Sequence, residues 1–170
     1  PKDENFLREF YERYGFKKWL AGLSVPEKVT TIKKQYETIL NENQFNTWLE
    51  KLKNSKYFSF DTETTSLDYM QAKVVGVSFS TAPGVAAYVP LMHDYEGCPA
   101  QLNKAEVLKA LQPLLNNQEK KIIGQNLKYD KEVLANEGIE LSAIAFDTML
   151  ESYVLDSQGS RHNMDALALK

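Results

Sequence analysis

The sequence predicts an α/β protein built on a mixed sheet. Three strand-like runs come early, helical and strand-like segments alternate afterwards, and a turn signal joins two of the early runs. Those runs are YFSFDTE (57–63), KVVGVSFST (73–81) and VAAYVPL (85–91). Ala82-Pro83-Gly84 forms a hairpin turn between the second and third, so the sheet begins antiparallel.

Ahead of the sheet, Phe6, Leu7, Phe10, Tyr14 and Trp19 recur at roughly helical spacing until Gly15 and Gly22 interrupt them. A connector with little periodicity follows, and order resumes at the strand-like YETIL (36–40), so a boundary falls near Leu23. Asn41 caps a helix over 42–54 whose apolar stripe is Phe45, Trp48, Leu49 and Leu52.

Beyond the three strands, 103–117 reads as a helix with Leu108, Leu111 and Leu115 inward, and Pro113 implies a bend or an early end. KIIGQ (121–125) reads as a buried strand. Asn126 caps a helix over 127–137 that Gly138 stops, SAIAF (142–146) is a short strand, and Asp147 caps a helix over 148–157. The last residues open another helix. Tyr88 and Tyr153 read as core, and neither His93 nor His162 takes a catalytic role.

With 170 residues, one ordinary domain can remove roughly 70% of its unfolded surface from water. The net charge of −3 excludes a protein that coats nucleic acid through a basic face, so any nucleic-acid binding must be local. A single cysteine, Cys98, forms no internal disulfide and fits a reducing cytoplasm. No run of about 18 apolar residues occurs, so no membrane association is expected.

Asp61-Thr62-Glu63 directly follows the apolar YFSF, and strand alternation sends residues 61 and 63 to one face. Two carboxylates so placed repel, and hard oxygen donors of this kind suit Mg²⁺ or Mn²⁺. The same residues would equally mark a strand end entering a turn. Asp130 stands in the first turn of the helix after KIIGQ, where open α/β sheets commonly bind ligands, although an acid there also suits the helix dipole. Asn126 and Asp130 are four apart and would share a helix face toward residues 61 and 63. Together the three acids point to metal-assisted hydrolysis.

Four segments in order resemble the 3'→5' proofreading exonuclease domain of the A-family, polymerase I type DNA polymerases: FDTETTSL (60–67), GQNLKYD (124–130), GIELSAIAFDTMLESYVL (138–155) and RHNMDALA (161–168). The resemblance spans residues 24–170, as the N-terminal portion of such a domain. LREFYERYGFKKW (7–19) also resembles the end of the preceding 5' nuclease domain, so residues 1–23 would be its C-terminal tail and a linker.

The resemblance implies a ribonuclease H-like fold, here truncated at its C-terminus, in a bacterial cytoplasmic enzyme that is also a DNA-directed DNA polymerase. Asp61, Glu63 and Asp130 match three acids of a four-acid site for two divalent ions, Mg²⁺ or Mn²⁺. Asp61 would bridge the ions, Glu63 would hold the one carrying the attacking water, and Asp130 would hold the second partly through water. The product would be a nucleoside 5'-monophosphate. Leu67 matches an apolar wedge against terminal bases, and Gln125, Asn126, Lys128, Tyr129 and Arg161 match positions along the single-stranded DNA 3' end. The further partners implied are the 5' nuclease and polymerase domains of the same parent chain.

One family feature does not occur: a third motif in a downstream helix, with a Tyr and an Asp four residues later. Tyr153 and Asp156 do not substitute, being three apart and inside a segment that matches an earlier helix. The 170 residues alone are therefore expected to be inactive. Two alternatives stand beside this reading. One is a catalytically decayed spacer between nuclease and polymerase modules, which the three retained carboxylates argue against. The other is a ribonuclease of the same superfamily.

Overall fold

Asp3 starts the first helix, its carboxylate accepting from the N–H groups of Asn5 and Phe6. In the computed structural model, which describes residues 3–20, 22–23, 33–158 and 161–168, this helix belongs to the first of two units, residues 1–32 and 33–170. The first unit holds α1 (Glu4–Arg13) and α2 (Lys17–Leu20), with Phe10 against Tyr14 and Phe16 against Trp19. Neither helix has a buried residue, so ring-on-ring contact is what orders this unit. Most of the connector read after Leu23, residues 24–32, lies outside the described residues.

The second unit is a six-stranded sheet in the order β1-β4-β3-β2-β5-β6. Its strands are β1 (Gln35–Thr38), β2 (Tyr57–Thr64), β3 (Val74–Ala82), β4 (Val85–Pro90), β5 (Lys121–Gly124) and β6 (Ile144–Asp147). The pair β3–β4 is antiparallel, as the hairpin signal requires, and so is β2–β3, while β1–β4, β2–β5 and β5–β6 are parallel. The mixed α/β reading is therefore the observed architecture. The parallel pairing of β1 with β4 had no local sequence signal.

Alternation along β2 buries Phe58, Phe60 and Thr62 on one face and leaves Ser59 and Asp61 half-buried and Glu63 exposed on the other. The buried face packs on α3 (Glu42–Asn54) and α4 (Lys104–Leu115), which contribute Trp48, Leu52, Leu108, Leu111 and Leu115 to one core. Asn41 caps α3 as expected, accepting from Gln44 N–H. Trp48 keeps its indole N–H satisfied by donating to Glu37 Oε2 at 2.7 Å.

Pro113 does not end α4, which runs two residues past it to Leu115. The proline sits in the last turn and removes a single ladder bond, while Leu111, Leu114 and Leu115 around it are buried. Burial outweighs the lost bond.

Two readings of tyrosines as core are corrected by their exposure. Tyr153 is 57% exposed on α6 (Thr148–Leu155), and Tyr88 is only half-buried on the open face of β4. Both carry a phenol, whose hydroxyl is better kept near polar partners than in an apolar core.

Candidate active site

Strands β2, β5 and β6 are mutually parallel, so their C-terminal ends lie together, and α5 (Leu127–Asn136) starts at that edge. The close approach of α5 to the sheet depends on Gly124. A Cβ there would run into the Leu127 side chain and stand 2.9 Å from the Phe60 carbonyl oxygen. Gly124 thus lets the chain turn from strand into helix directly beside β2.

Asp130 is fully buried in the first turn of α5, and one carboxylate oxygen accepts two bonds from Thr62: 2.9 Å from the backbone N–H and 2.7 Å from the hydroxyl. Thr62 lies between Asp61 and Glu63, so this pair of bonds joins the three acids into one locality. Asp61 is pushed up from its ordinary 3.8 to about 6, first by burial and then by the charges of Asp130 and Glu63. Burial raises Asp130 as well, opposed by the Thr62 hydrogen bonds and reinforced by the charge of Asp147. Among the described residues no three His, Cys, Asp or Glu side chains are gathered tightly enough to be counted as a metal-holding group. The ion pairs there, Lys53–Glu50 and Lys104–Glu137, involve none of the three acids.

Asp147 does more than cap one helix. Its carboxylate accepts from Met149 and Leu150 N–H at the start of α6, and from Asn126 and Leu127 N–H at the start of α5. That second pair accompanies a correction at Asn126. The residue occupies the cap position of α5, but in a left-handed conformation (φ 58°, ψ 42°) with no side-chain cap bond, while Asp147 takes the N–H groups of Asn126 and Leu127. Asn126 is consequently exposed and outside the helix, and does not share a helix face with buried Asp130.

The remaining sequence-derived positions divide into engaged and free side chains. Tyr129 donates its hydroxyl to the Ser66 carbonyl oxygen and is bonded to Thr64 Oγ1 at 2.5 Å, tying α5 to the loop after β2. Leu67 projects from that loop, 96% exposed. Gln125 donates to the His162 carbonyl oxygen at 2.7 Å and accepts from the Thr148 hydroxyl. Lys128 and Arg161 are exposed. Sequence reasoning missed Thr62, whose signal was a hydroxyl at a core-facing strand position, and the double use of Asp147, for which the sequence carries no signal.

The family model described as 3'-5' exonuclease matches residues 36–170. DNA polymerase I of Pseudomonas aeruginosa is 49% identical over 176 aligned residues, covering 96% of this chain and 19% of that protein. DNA polymerase I of Chloroflexus aurantiacus is 34% identical over 148 residues, covering 87% of the chain and 15% of the relative. The chain thus spans under a fifth of the length of these relatives. Among solved structures, the Pol1 POL domain of M. smegmatis in complex with DNA primer-template and dNTP superimposes with a TM-score of 0.60 at 19% identity, over 78% of this chain and 22% of that one. Brucella melitensis NrnC with bound Mg²⁺ gives 0.55 at 18%, over 78% and 58%. Likeness at these identities concerns the fold, which is ribonuclease H-like. Because the family match runs from β1 through α5, with Asp130, to the end of the chain, this protein belongs to the 3'-5' exonuclease family of DNA polymerase I.

Proposed function

We propose that residues 33–170 form the greater part of a metal-dependent site that removes nucleotides from a DNA 3' end. The observation that carries this reading is the joining of Asp61, Glu63 and Asp130 through Thr62 at the C-terminal edge of the parallel strands. Three mutually repelling carboxylates, one of them raised to about 6, are an unfavourable arrangement for structure alone and a suitable all-oxygen donor set for Mg²⁺ or Mn²⁺. Asp61, Glu63 and Asp130 would hold the ions, and the metal chemistry supplied there is activation of water and stabilisation of the leaving 3' oxygen.

The chain's own residues set the rest of the site. Thr62 fixes one Asp130 oxygen through two bonds. Leu67, presented by the loop that Tyr129 holds, offers an apolar surface to a terminal base. Lys128 and Arg161 offer charge to phosphates, and exposed Asn126 offers an amide to a sugar or phosphate. Gln125, occupied by His162 and Thr148, acts by holding the segment that carries Arg161. None of these contacts reads base sequence, as suits removal of any terminal nucleotide.

In the larger enzyme the substrate would be a frayed single-stranded 3' end, with the 5' nuclease and polymerase domains as neighbours and residues 1–23 as the tail of the former. Beyond Asp130 the 170 residues contain no Tyr-x-x-x-Asp, so by themselves they should turn over little substrate. The test is digestion of a 3'-labelled oligonucleotide in Mg²⁺ by these residues and by a longer chain that includes such a motif. The longer chain should release nucleoside 5'-monophosphates and lose this with Asp61→Ala. Digestion that survives Asp61→Ala overturns the site, and robust digestion by the 170 residues overturns the expectation for them alone.

A further inference from the structure

The open sheet face beside Glu63 carries a second polar pair that the proposed function leaves unused. Strand register places Asp61 opposite Ser78 and Ser78 opposite Tyr88, so these three side chains share one face. Glu63 lies opposite Gly76 on the same face. The Tyr88 ring leans along the strand over Gly76, so closely that a Cβ at residue 76 would fall inside the phenol. The Tyr88 hydroxyl therefore occupies the space that any larger residue 76 would fill, directly beside Glu63. In keeping with that placement, the charge of Glu63 contributes to raising the Tyr88 phenol, after burial.

The hydroxyl is also held from behind. His93 Nε2 lies 2.5 Å from Tyr88 Oη. The backbone on both sides of the His93 side chain is fixed by one residue, since Gln101 accepts from His93 N–H and donates to the His93 carbonyl oxygen, each at 2.8 Å. In the tautomer that carries the proton on Nε2, His93 donates to the phenol oxygen and the phenol O–H is free to donate away from His93. Of the acceptors that the strand register brings to that face, the Glu63 carboxylate is the one whose charge acts on the phenol.

We infer that Tyr88, backed by His93, is a positioning residue for Glu63: its hydroxyl orients a carboxylate that strand geometry alone leaves exposed and free to turn. The inference rests on the metal-site reading above. Carboxylate ligands are commonly oriented by a hydrogen-bonding neighbour, and removing such a neighbour typically weakens metal binding by about 10- to 100-fold. Gly76 is then required for a functional reason as well as a packing one, because only a residue without a side chain lets the phenol reach this place.

The experiment is calorimetric titration of Mn²⁺ into the 170-residue chain and into Asp61→Ala, Tyr88→Phe, His93→Ala and His93→Gln, with a thermal melt of each. Phenylalanine keeps the ring and its packing, so Tyr88→Phe should fold and melt like the parent. The expected result is Mn²⁺ binding by the parent, none by Asp61→Ala, and about tenfold weaker binding by Tyr88→Phe with an unchanged melt. His93→Ala should match Tyr88→Phe, while His93→Gln, whose amide can still donate to the phenol, should recover part of the affinity. Parental affinity in Tyr88→Phe, or a loss that merely follows a lowered melt, overturns the inference alone. Absence of binding in the parent, or binding that persists in Asp61→Ala, removes the metal-site reading and the inference together.

Discussion

Replacing Asp147 offers a quantitative check on how the sheet edge that carries the three acids is held. The carboxylate accepts from four backbone donors, Leu127 at 2.8 Å, Met149 at 3.0 Å, Asn126 at 3.1 Å and Leu150 at 3.3 Å, and Asp147 is itself buried. In Asp147→Ala, the cap on α6 is lost, worth about 1 kcal/mol. The Leu127 N–H is left buried and unpaired, worth about 1–3 kcal/mol more. Water can replace part of the other bonds, so the whole change should be about 3 kcal/mol, a large share of the stability of an ordinary domain.

Asp147→Asn sharpens the test. One oxygen of Asp147 serves Asn126, Met149 and Leu150, and the other serves Leu127 alone. An amide keeping its oxygen on the first three turns its NH₂ toward the Leu127 N–H, donor against donor. The near-isosteric variant should therefore lose about 2 kcal/mol. Urea unfolding followed by far-ultraviolet circular dichroism measures both variants, and the slope should stay parental if the unfolded surface is unchanged. An Asp147→Asn variant within about 0.5 kcal/mol of the parent, the range of an ordinary surface substitution, would refute the four-donor account.

Three further outcomes follow from the same edge. Folded Asp61 keeps its proton to about pH 6, whereas the unfolded group loses it near 3.8, so the folded chain binds more protons between those values and stability should fall as pH rises from about 4 to 6. Asp61→Asn should flatten that fall in metal-free urea titrations and stabilise the chain at pH 7. The gain is about 3 kcal/mol at face value and about 1 kcal/mol once solvent screening of the half-buried group is counted. Thr62→Val keeps the backbone donor but removes the hydroxyl bond to Asp130, and should cost about 2 kcal/mol in the same titration, with Asp130 raised further on carboxyl titration by NMR. Gly124→Ala drives a methyl against Leu127 and the Phe60 carbonyl, and should lower stability by about 2 kcal/mol and blunt amide-exchange protection at the start of α5.

How far the sequence could be read depended on the range of the interaction. The helix over 42–54, its Asn41 cap and the antiparallel hairpin at 82–84 follow from neighbours within a few residues, and the structure has them all. The same-face placement of Asp61 and Glu63 also follows from alternation within one strand. Asn126 was misread as a side-chain cap because its backbone turns left-handed at the strand-to-helix junction, where its N–H goes to Asp147, 21 residues away, a bond available only once β5 and β6 pair. Tyr88 was misread because nothing near it in sequence indicates that Gly76, across the sheet, admits its ring to the polar face.

The least legible contact is also the one on which the site depends. Thr62 and Asp130 are 68 residues apart, and their two bonds require β2 and β5 to pair in parallel, Gly124 to admit α5, and Asp147 to hold the first donors of that helix. Each requirement is a packing condition of the fold. Thr62 turns inward for the same reason that Asp61 and Glu63 turn outward, since alternation leaves the middle residue of three on the opposite face. An acid-x-acid strand end thus presents two carboxylates on one side and, on the other, a buried position from which a hydroxyl can anchor the third. A threonine suits that position because it combines a hydroxyl donor with strand propensity, so the residue between the acids belongs to the site as much as the acids do.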